Sequence, residues 1–388
     1  MPMKCDVLVV GASAAGMMAA ISAARYGSDV ILLDRNLWGV DHSANTFFEG
    51  MASQTGFQVD DCYIKKTLRG MRIISPSSYG VTVPVMGYFI DRRRFDDHYL
   101  DIAEKEDVNL LEGQASGILI GSGNSRVSTQ QEDIVAKVTI DASGVQPILA
   151  RQVGLSPIRH PEDIAWAMEA TVQHPGLGEE DFFEYWIGSM APGWKATFSP
   201  AGEDLATLGV FVRGHGMDVN PFFQSFLSRF KTYKAGAYRK IEQMKIVSIR
   251  HGGDPIAVLP GEIVRDSLMV TGGAAGQSGL IYGMRAGTIC GTVASQAASA
   301  GDVSRANLSR YERLWRSEFG WVYRLGRASL ETLRNMSDSD IDELVKGVSG
   351  KNLILKGSLC RKVLDAGIKT TLAQPKAVLN LAINIVKG

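Results

Sequence analysis

Residues 6–35, "DVLVVGASAAGMMAAISAARYGSDVILLDR", constrain this chain more than any other stretch. Residues 7–10 form a short continuous apolar run, which suits a central parallel strand buried on both faces. Gly11 opens a turn. Alanines and methionines at helical spacing follow over 14–26, and Gly27 is placed to end that helix. Residues 30–34 read as the next parallel strand. The turn is Gly11-x-Ser13-x-x-Gly16, with Asp34 23 residues after Gly11. In such a unit the first glycine permits the tight turn and the last lets the helix sit close on the strand. A carboxylate at the end of the second strand can grip ribose hydroxyls. Ser13 stands where the middle glycine usually lets a pyrophosphate approach. It is small enough to be tolerated and can donate a hydrogen bond. A dinucleotide at the helix N-terminus is the expectation.

The chain has 388 residues, enough for a large core and two or three structural units. Its 42 glycines cluster beside apolar runs, as backbone packed against a ligand requires. Lys+Arg and Asp+Glu both total 41, so global charge does not point to nucleic acid. Cys5, Cys62, Cys290 and Cys360 are scattered and read as free thiols in a reducing compartment. Neither they nor the six histidines show a metal-ligand spacing, so no metal is expected. The N-terminus has no secretory pattern, and no run of about 18 apolar residues could span a bilayer. A cytoplasmic protein is expected.

Two later segments separate FAD from NAD. "TIDASG" (139–144) looks like the second strand and turn that FAD domains of the glutathione reductase type place near the cofactor. "SLMVTGGAAG" (267–276) looks like the late strand and glycine loop that close over a flavin, with Gly272-Gly273 where Gly-Asp is usual. The expected architecture is α/β. It comprises a glutathione-reductase-type Rossmann FAD domain (1–75, 91–155 and 250–300), an inserted antiparallel β-sheet substrate domain (76–90 and 156–249) and a C-terminal helical region (301–388).

Here the chain resembles the geranylgeranyl reductases, FAD-dependent relatives of the p-hydroxybenzoate hydroxylase type. The resemblance spans nearly the whole chain. It is carried by "IDRRRFDDHYLDIAEKEDVNLLEGQASGI" and most specifically by "YERLWRSEFGWVYRLGRASLETLRNMSDSDIDELV". It implies FAD contacts at Gly11, Ser13, Ala15, Gly16, Asp34, Arg92, Ala115, Gly273, Gly279 and Leu280, with Gly272 and Gly276 in the closing loop. Arg92 would bind phosphate or ribose; as part of Arg92-Arg93-Arg94 it reads equally as a solvated basic cluster. Where the family has a cysteine–glycine pair this chain has Ala44 and Asn45. "APGWKATFSP" keeps Pro192, Gly193 and Pro200 of the family's substrate-side signature but rearranges its aromatics.

The implied reaction is reduction of an isolated double bond in a prenyl chain of a lipid or quinone. It requires an apolar tunnel, a positioned acid and little water. Tyr185, Trp186, Trp194 and Phe198 are candidates for the tunnel wall, against the alternative that they fill the sheet's core. Tyr282 is the candidate acid, against a core tyrosine. No second glycine fingerprint for a nicotinamide appears, so the electron donor stays open between a ferredoxin-like carrier and reduced nicotinamide. The tail carries Lys351, Lys356, Arg361, Lys362, Lys369, Lys376 and Lys387 against Asp365. It suits a helix lying on an anionic bilayer face, or one packed on its own domain. A monooxygenase or halogenase of the same fold, and a redox-silent lipid- or partner-binding relative, are the competing readings.

Overall fold

A computed structural model describes residues 2–39, 44–256, 258–277 and 279–349. The expected strand–helix–strand unit is Met3–Val10, Ala14–Arg25 and Val30–Asp34. These strands sit in an eight-stranded sheet. Its parallel core runs Leu268–Val270, Ile134–Asp141, Met3–Val10, Val30–Asp34 and Asn109–Glu112. Burial on both faces explains why Val7, Leu8 and Val9 are wholly apolar and inaccessible.

The second sheet has seven strands, in the order Lys245–Pro255, Ile164–Gln173, Leu205–Val212, Lys195–Pro200, Phe182–Trp186, Gly70–Ile74 and Gly80–Val83. All its pairs are antiparallel except Phe182–Trp186 on Gly70–Ile74. A third sheet pairs Thr46–Phe48, Gly87–Ile90 and Ile64–Leu68. Strand membership therefore departs from the boundaries read in the sequence. The cut at 75 falls inside the hairpin Gly70–Val83 of the large sheet. Gly87–Ile90 belongs to the small sheet, and the last large-sheet strand continues to Pro255. The partner that fixes Gly70–Ile74 in its sheet lies more than a hundred residues away, and local pattern carries no trace of it.

Helix Ala14–Arg25 and helix Leu280–Ala300 pack with their backbones nearly touching. A Cβ at Gly287 would lie 2.0 Å from the Ala15 carbonyl oxygen, and one at Gly291 would lie 2.0 Å from that of Ala19. Gly287→Ala should therefore destabilise the protein by about 2–3 kcal/mol, since neither helix can yield without disturbing the sheet below. Denaturant melts of the variant check this.

A separate core lies between the large sheet and helix Asn220–Lys234, filled by Trp186, Phe198, Phe223, Phe226 and Phe230. Helices Arg310–Arg334 and Asp338–Val348 lie against the opposite face. Asp163 anchors the first of them through Arg213 (2.7 Å) and Arg327 (2.6 Å). Ser337 caps the second, and Asp338 accepts from the Ser189 N–H at 2.8 Å. The basic tail, 351–388, lies outside the described residues.

Candidate functional site: a dinucleotide cleft beside a mixed-polarity sheet face

A cleft of about 620 Å³ opens at the carboxyl ends of the parallel strands, lined by Gly11, Ser13, Asp34, Ala115 and Gly144 among others. This is where an open α/β sheet binds its ligand. The turn leaves no space for side chains: a Cβ at Gly11 would meet the Ala142 oxygen at 2.5 Å, and one at Gly16 the Gly11 oxygen at 1.9 Å. Gly11 also sits at φ +107°. Helix Ala14–Arg25 has no acidic residue in its first turn, so its positive end is free to face an anion. Asp34 Oδ2 accepts from the Ala12 N–H at 2.7 Å and Oδ1 from the Asn36 N–H at 2.9 Å, which fixes its carboxylate on the cleft wall. These features fit a dinucleotide's diphosphate and ribose.

Ser13 behaves differently from the expectation. It is the helix N-cap, accepting from the Gly16 N–H at 3.2 Å, and its hydroxyl donates to the Ala142 oxygen at 3.3 Å. The hydroxyl proton is thus committed to the protein rather than offered to a phosphate. Ala15 faces away from the cleft, toward Gly272 and Gly287.

The late loop folds as a 3₁₀ turn, Gly272–Ala275, between strand Leu268–Val270 and helix Leu280–Ala300. A Cβ at Gly273 would stand 3.6 Å from Gly144 Cα, so the loop packs behind a residue of the cleft, but Gly272, Gly273, Gly276, Gly279 and Leu280 do not themselves line it. Gly276 (φ +77°) and Gly279 (φ +89°) make the bends that return the chain into the helix at Leu280. With no aspartate after Gly272, a neutral brace holds the loop. Gln277 Oε1 accepts from the Gly272 N–H at 2.8 Å, and the Gln277 amide pairs with the Tyr311 hydroxyl, also at 2.8 Å. Sequence reasoning missed Gln277 because its partner lies on a helix 34 residues away.

Arg92 is neither on the cleft wall nor solvated. It is buried, paired with Asp96 at 2.9 Å, and donates to the Ala44 carbonyl at 3.3 Å; only Arg93 and Arg94 are exposed. Asp96 follows Arg92 by one helical turn, a signal the sequence did carry.

The four aromatic candidates divide by strand alternation. Trp186 and Phe198 point into the core under helix Asn220–Lys234 and cannot line a tunnel on the cofactor side; this corrects the expectation for both. Tyr185 and Trp194 lie on the other face, the one that touches the cofactor-binding unit through Thr46–Ser199 (2.7 Å) and Phe48–Phe183. There Lys195 Nζ sits 4.7 Å from the Tyr185 ring, 5.0 Å from Trp194 and 4.9 Å from Phe211. Trp194 also lines a second cleft, of about 490 Å³, whose far wall is Leu330, Leu333 and Ile341 of the C-terminal helices.

Asp254 lies on this side as well. Burial pushes its carboxyl up to about 6, with Lys195 opposing the shift. A carboxyl raised in the folded state stabilises the fold below its unfolded value, near 3.8, and that stability is lost as pH climbs to about 6. Asp254→Asn should therefore be about 1–3 kcal/mol more stable than the parent at pH 7. The gain over the parent should shrink as pH falls from 6 toward 4, which urea melts of both proteins across that range will show.

Tyr282 sits on helix Leu280–Ala300. Its hydroxyl donates to Gln54 Oε1 at 2.9 Å, its ring packs on Phe319, and burial raises its pKa.

Residues 6–155 match the family model of FAD dependent oxidoreductases. The chain is 31% identical over 97% of its length to digeranylgeranylglycerophospholipid reductase 1 of Methanothermobacter thermautotrophicus, covering 98% of that protein. The chain belongs to the geranylgeranyl reductase family. It is an FAD-dependent oxidoreductase. A second relative in the geranylgeranyl reductase family, digeranylgeranylglycerophospholipid reductase 2 of Methanosphaera stadtmanae, is 27% identical over 88% of this chain and 91% of its own. Among solved structures, a geranylgeranyl bacteriochlorophyll reductase-like protein from Thermoplasma acidophilum superposes with a TM-score of 0.87. The identity is 21%, and 99% of this chain and all of that one are covered. The flavin-dependent brominase Bmp2 shares the fold at a TM-score of 0.67 and 17% identity, over 95% of this chain and 98% of its own. No described helix is long and apolar enough to cross a membrane.

Proposed function

We propose that this protein reduces carbon–carbon double bonds in a geranylgeranyl-type prenyl chain carried by a lipid or quinone. The observation that carries this reading is the 31% identity to a digeranylgeranylglycerophospholipid reductase, maintained over 97% of the chain. When bound, reduced FAD supplies hydride to one alkene carbon. Gly11 and Asp34 on the cleft wall would hold it, with Gly16 keeping the helix N-terminus close and the Gly272–Ala275 turn packed behind Gly144.

An isolated trisubstituted alkene accepts hydride poorly, so a proton must reach the second carbon as positive charge develops. Tyr282 is our candidate for that proton, because it stands in the first turn of the helix that follows the Gly272–Ala275 loop and its hydroxyl, like any tyrosine's, is protonated at neutral pH. The prenyl chain enters by the cleft beside Trp194, whose walls include Ile187, Leu330, Leu333 and Ile341, and Tyr185 stands on the same sheet face. The basic tail holds the enzyme at an anionic membrane surface where such a lipid resides. Electrons arrive from a ferredoxin-like carrier or reduced nicotinamide.

The test is anaerobic incubation of the dithionite-reduced FAD-loaded enzyme with digeranylgeranylglyceryl phosphate, followed by mass spectrometry. A gain of two hydrogens per bond is expected. Unchanged lipid would sink the reading, and an oxygenated product in air would favour a monooxygenase. Tyr282→Phe should lower the rate of lipid saturation by about 100-fold or more while leaving FAD content unchanged. An undiminished rate would remove Tyr282 from the mechanism.

A further inference from the structure

Three side chains of metal-ligand type converge away from the FAD cleft. Asp60 caps the 3₁₀ turn Asp61–Tyr63, its Oδ1 accepting from the Cys62 N–H at 2.9 Å. His98 lies on helix Arg92–Lys105, and its Nδ1 stands 3.4 Å from Cys62 Sγ. One ligand atom from each of the three residues lies within 4.8 Å of the other two. We propose that Asp60, Cys62 and His98 form a binding site for a borderline-soft divalent cation of the zinc type, with water completing the coordination.

The spacing favours a shared ion. Zinc binds cysteine sulfur at about 2.3 Å and imidazole nitrogen at about 2.0–2.1 Å, so tetrahedral geometry sets the two ligand atoms about 3.5 Å apart. The observed separation is 3.4 Å. The exposed Asp60 carboxylate already has an oxygen within 4.8 Å of both and supplies the third ligand. Thiolate with imidazole selects zinc-like ions over magnesium or calcium. The His98 ring is held edge-on against Tyr63 (5.6 Å) and Tyr99 (5.1 Å), which keeps Nδ1 aimed at the sulfur.

Cys62 binds such an ion as the thiolate, so binding releases its proton. None of the three residues lines the FAD cleft. The ion would clip the 61–63 turn to the helix that carries Arg92, and would serve the fold rather than the flavin chemistry.

The test uses the full-length, FAD-loaded protein stripped of metal and titrated with Co²⁺. One equivalent should bring up ligand-field bands beyond the flavin absorption, together with a thiolate-to-cobalt charge-transfer band. Zn²⁺ should abolish both and raise the melting temperature. Affinity should rise with pH from 6.5 upward, because a thiol must lose its proton to bind the ion. Cys62→Ser should eliminate the charge-transfer band, His98→Ala should weaken binding at least about tenfold, and His160→Ala should change nothing. The absence of any cobalt spectrum in the parent, or a charge-transfer band that survives Cys62→Ser, overturns the site. FAD absorbance and melting of each variant confirm that it has folded. Lipid reduction is not a readout, so this outcome is independent of the proposed activity.

Discussion

Gly16→Val will be recovered essentially free of flavin, with FAD affinity reduced by at least about 100-fold. The reason is steric and local. A Cβ at this position falls 1.9 Å from the Gly11 carbonyl oxygen and 3.1 Å from the Ala142 side chain, and neither can retreat. Gly11 is itself confined, because its own missing Cβ would lie 2.5 Å from the Ala142 oxygen. Accommodating valine must therefore lift the helix N-terminus off the strands and misaim the amides that face the diphosphate. A 100-fold loss is about 2.7 kcal/mol, within what overpacking a rigid contact costs. Equilibrium dialysis with FAD measures it. Affinity within a few-fold of the parent would mean that this turn does not carry the cofactor.

Lys234→Met will cost about 3–5 kcal/mol of stability. Lys234 reaches from helix Asn220–Lys234 into the large sheet, 2.8 Å from Glu184 and 2.6 Å from Glu180. Glu184 is fully buried, and its other polar contacts are Arg72 at 3.5 Å and the Trp186 indole N–H at 3.2 Å. Removing the ammonium strands a carboxylate in the core. Burial already raises the Glu184 pKa, with Lys234 the main opposing influence, so the variant raises it further. An acid with a raised folded pKa loses stability as pH rises from its unfolded value upward. The deficit of Lys234→Met should accordingly shrink below about pH 4.5 and be full at neutral pH. Adding Glu184→Gln should recover much of the loss. Denaturant melts at pH 4 and 7 of both variants decide it; a deficit independent of pH would assign it to lost packing against Phe198 and Phe230 instead.

One wall of the cleft was legible because its parts are consecutive. Residues 6–35 supply strand, turn, helix, strand and acid from one local pattern, and Gly11, Ser13 and Asp34 line a single cleft as that pattern required. Ser13 shows the limit of this legibility: it lines the cleft, but its hydroxyl bonds to Ala142, a residue 129 positions away. Arg92 shows the same limit. A triplet of arginines does not say which one turns inward to meet Asp96.

The substrate side was less legible for a different reason. Alternation along Phe182–Trp186 and Lys195–Pro200 separates Tyr185 from Trp186 and Lys195 from Phe198. It cannot say which face receives helix Asn220–Lys234 and which receives the cofactor-binding unit and the C-terminal helices. The convergence of Asp60, Cys62 and His98 was likewise invisible in spacing. The amino-acid order alone therefore determined the nucleotide-binding unit, because short-range periodicity and backbone sterics act within thirty residues, while the class of chemistry followed from the family resemblance of later segments. The assembled fold decided which aromatic side chains are core, what braces the flavin loop and where a second set of ligands meets. Those outcomes depend on contacts between segments far apart in the chain, whose register and facing are set only when the sheets and helices pack.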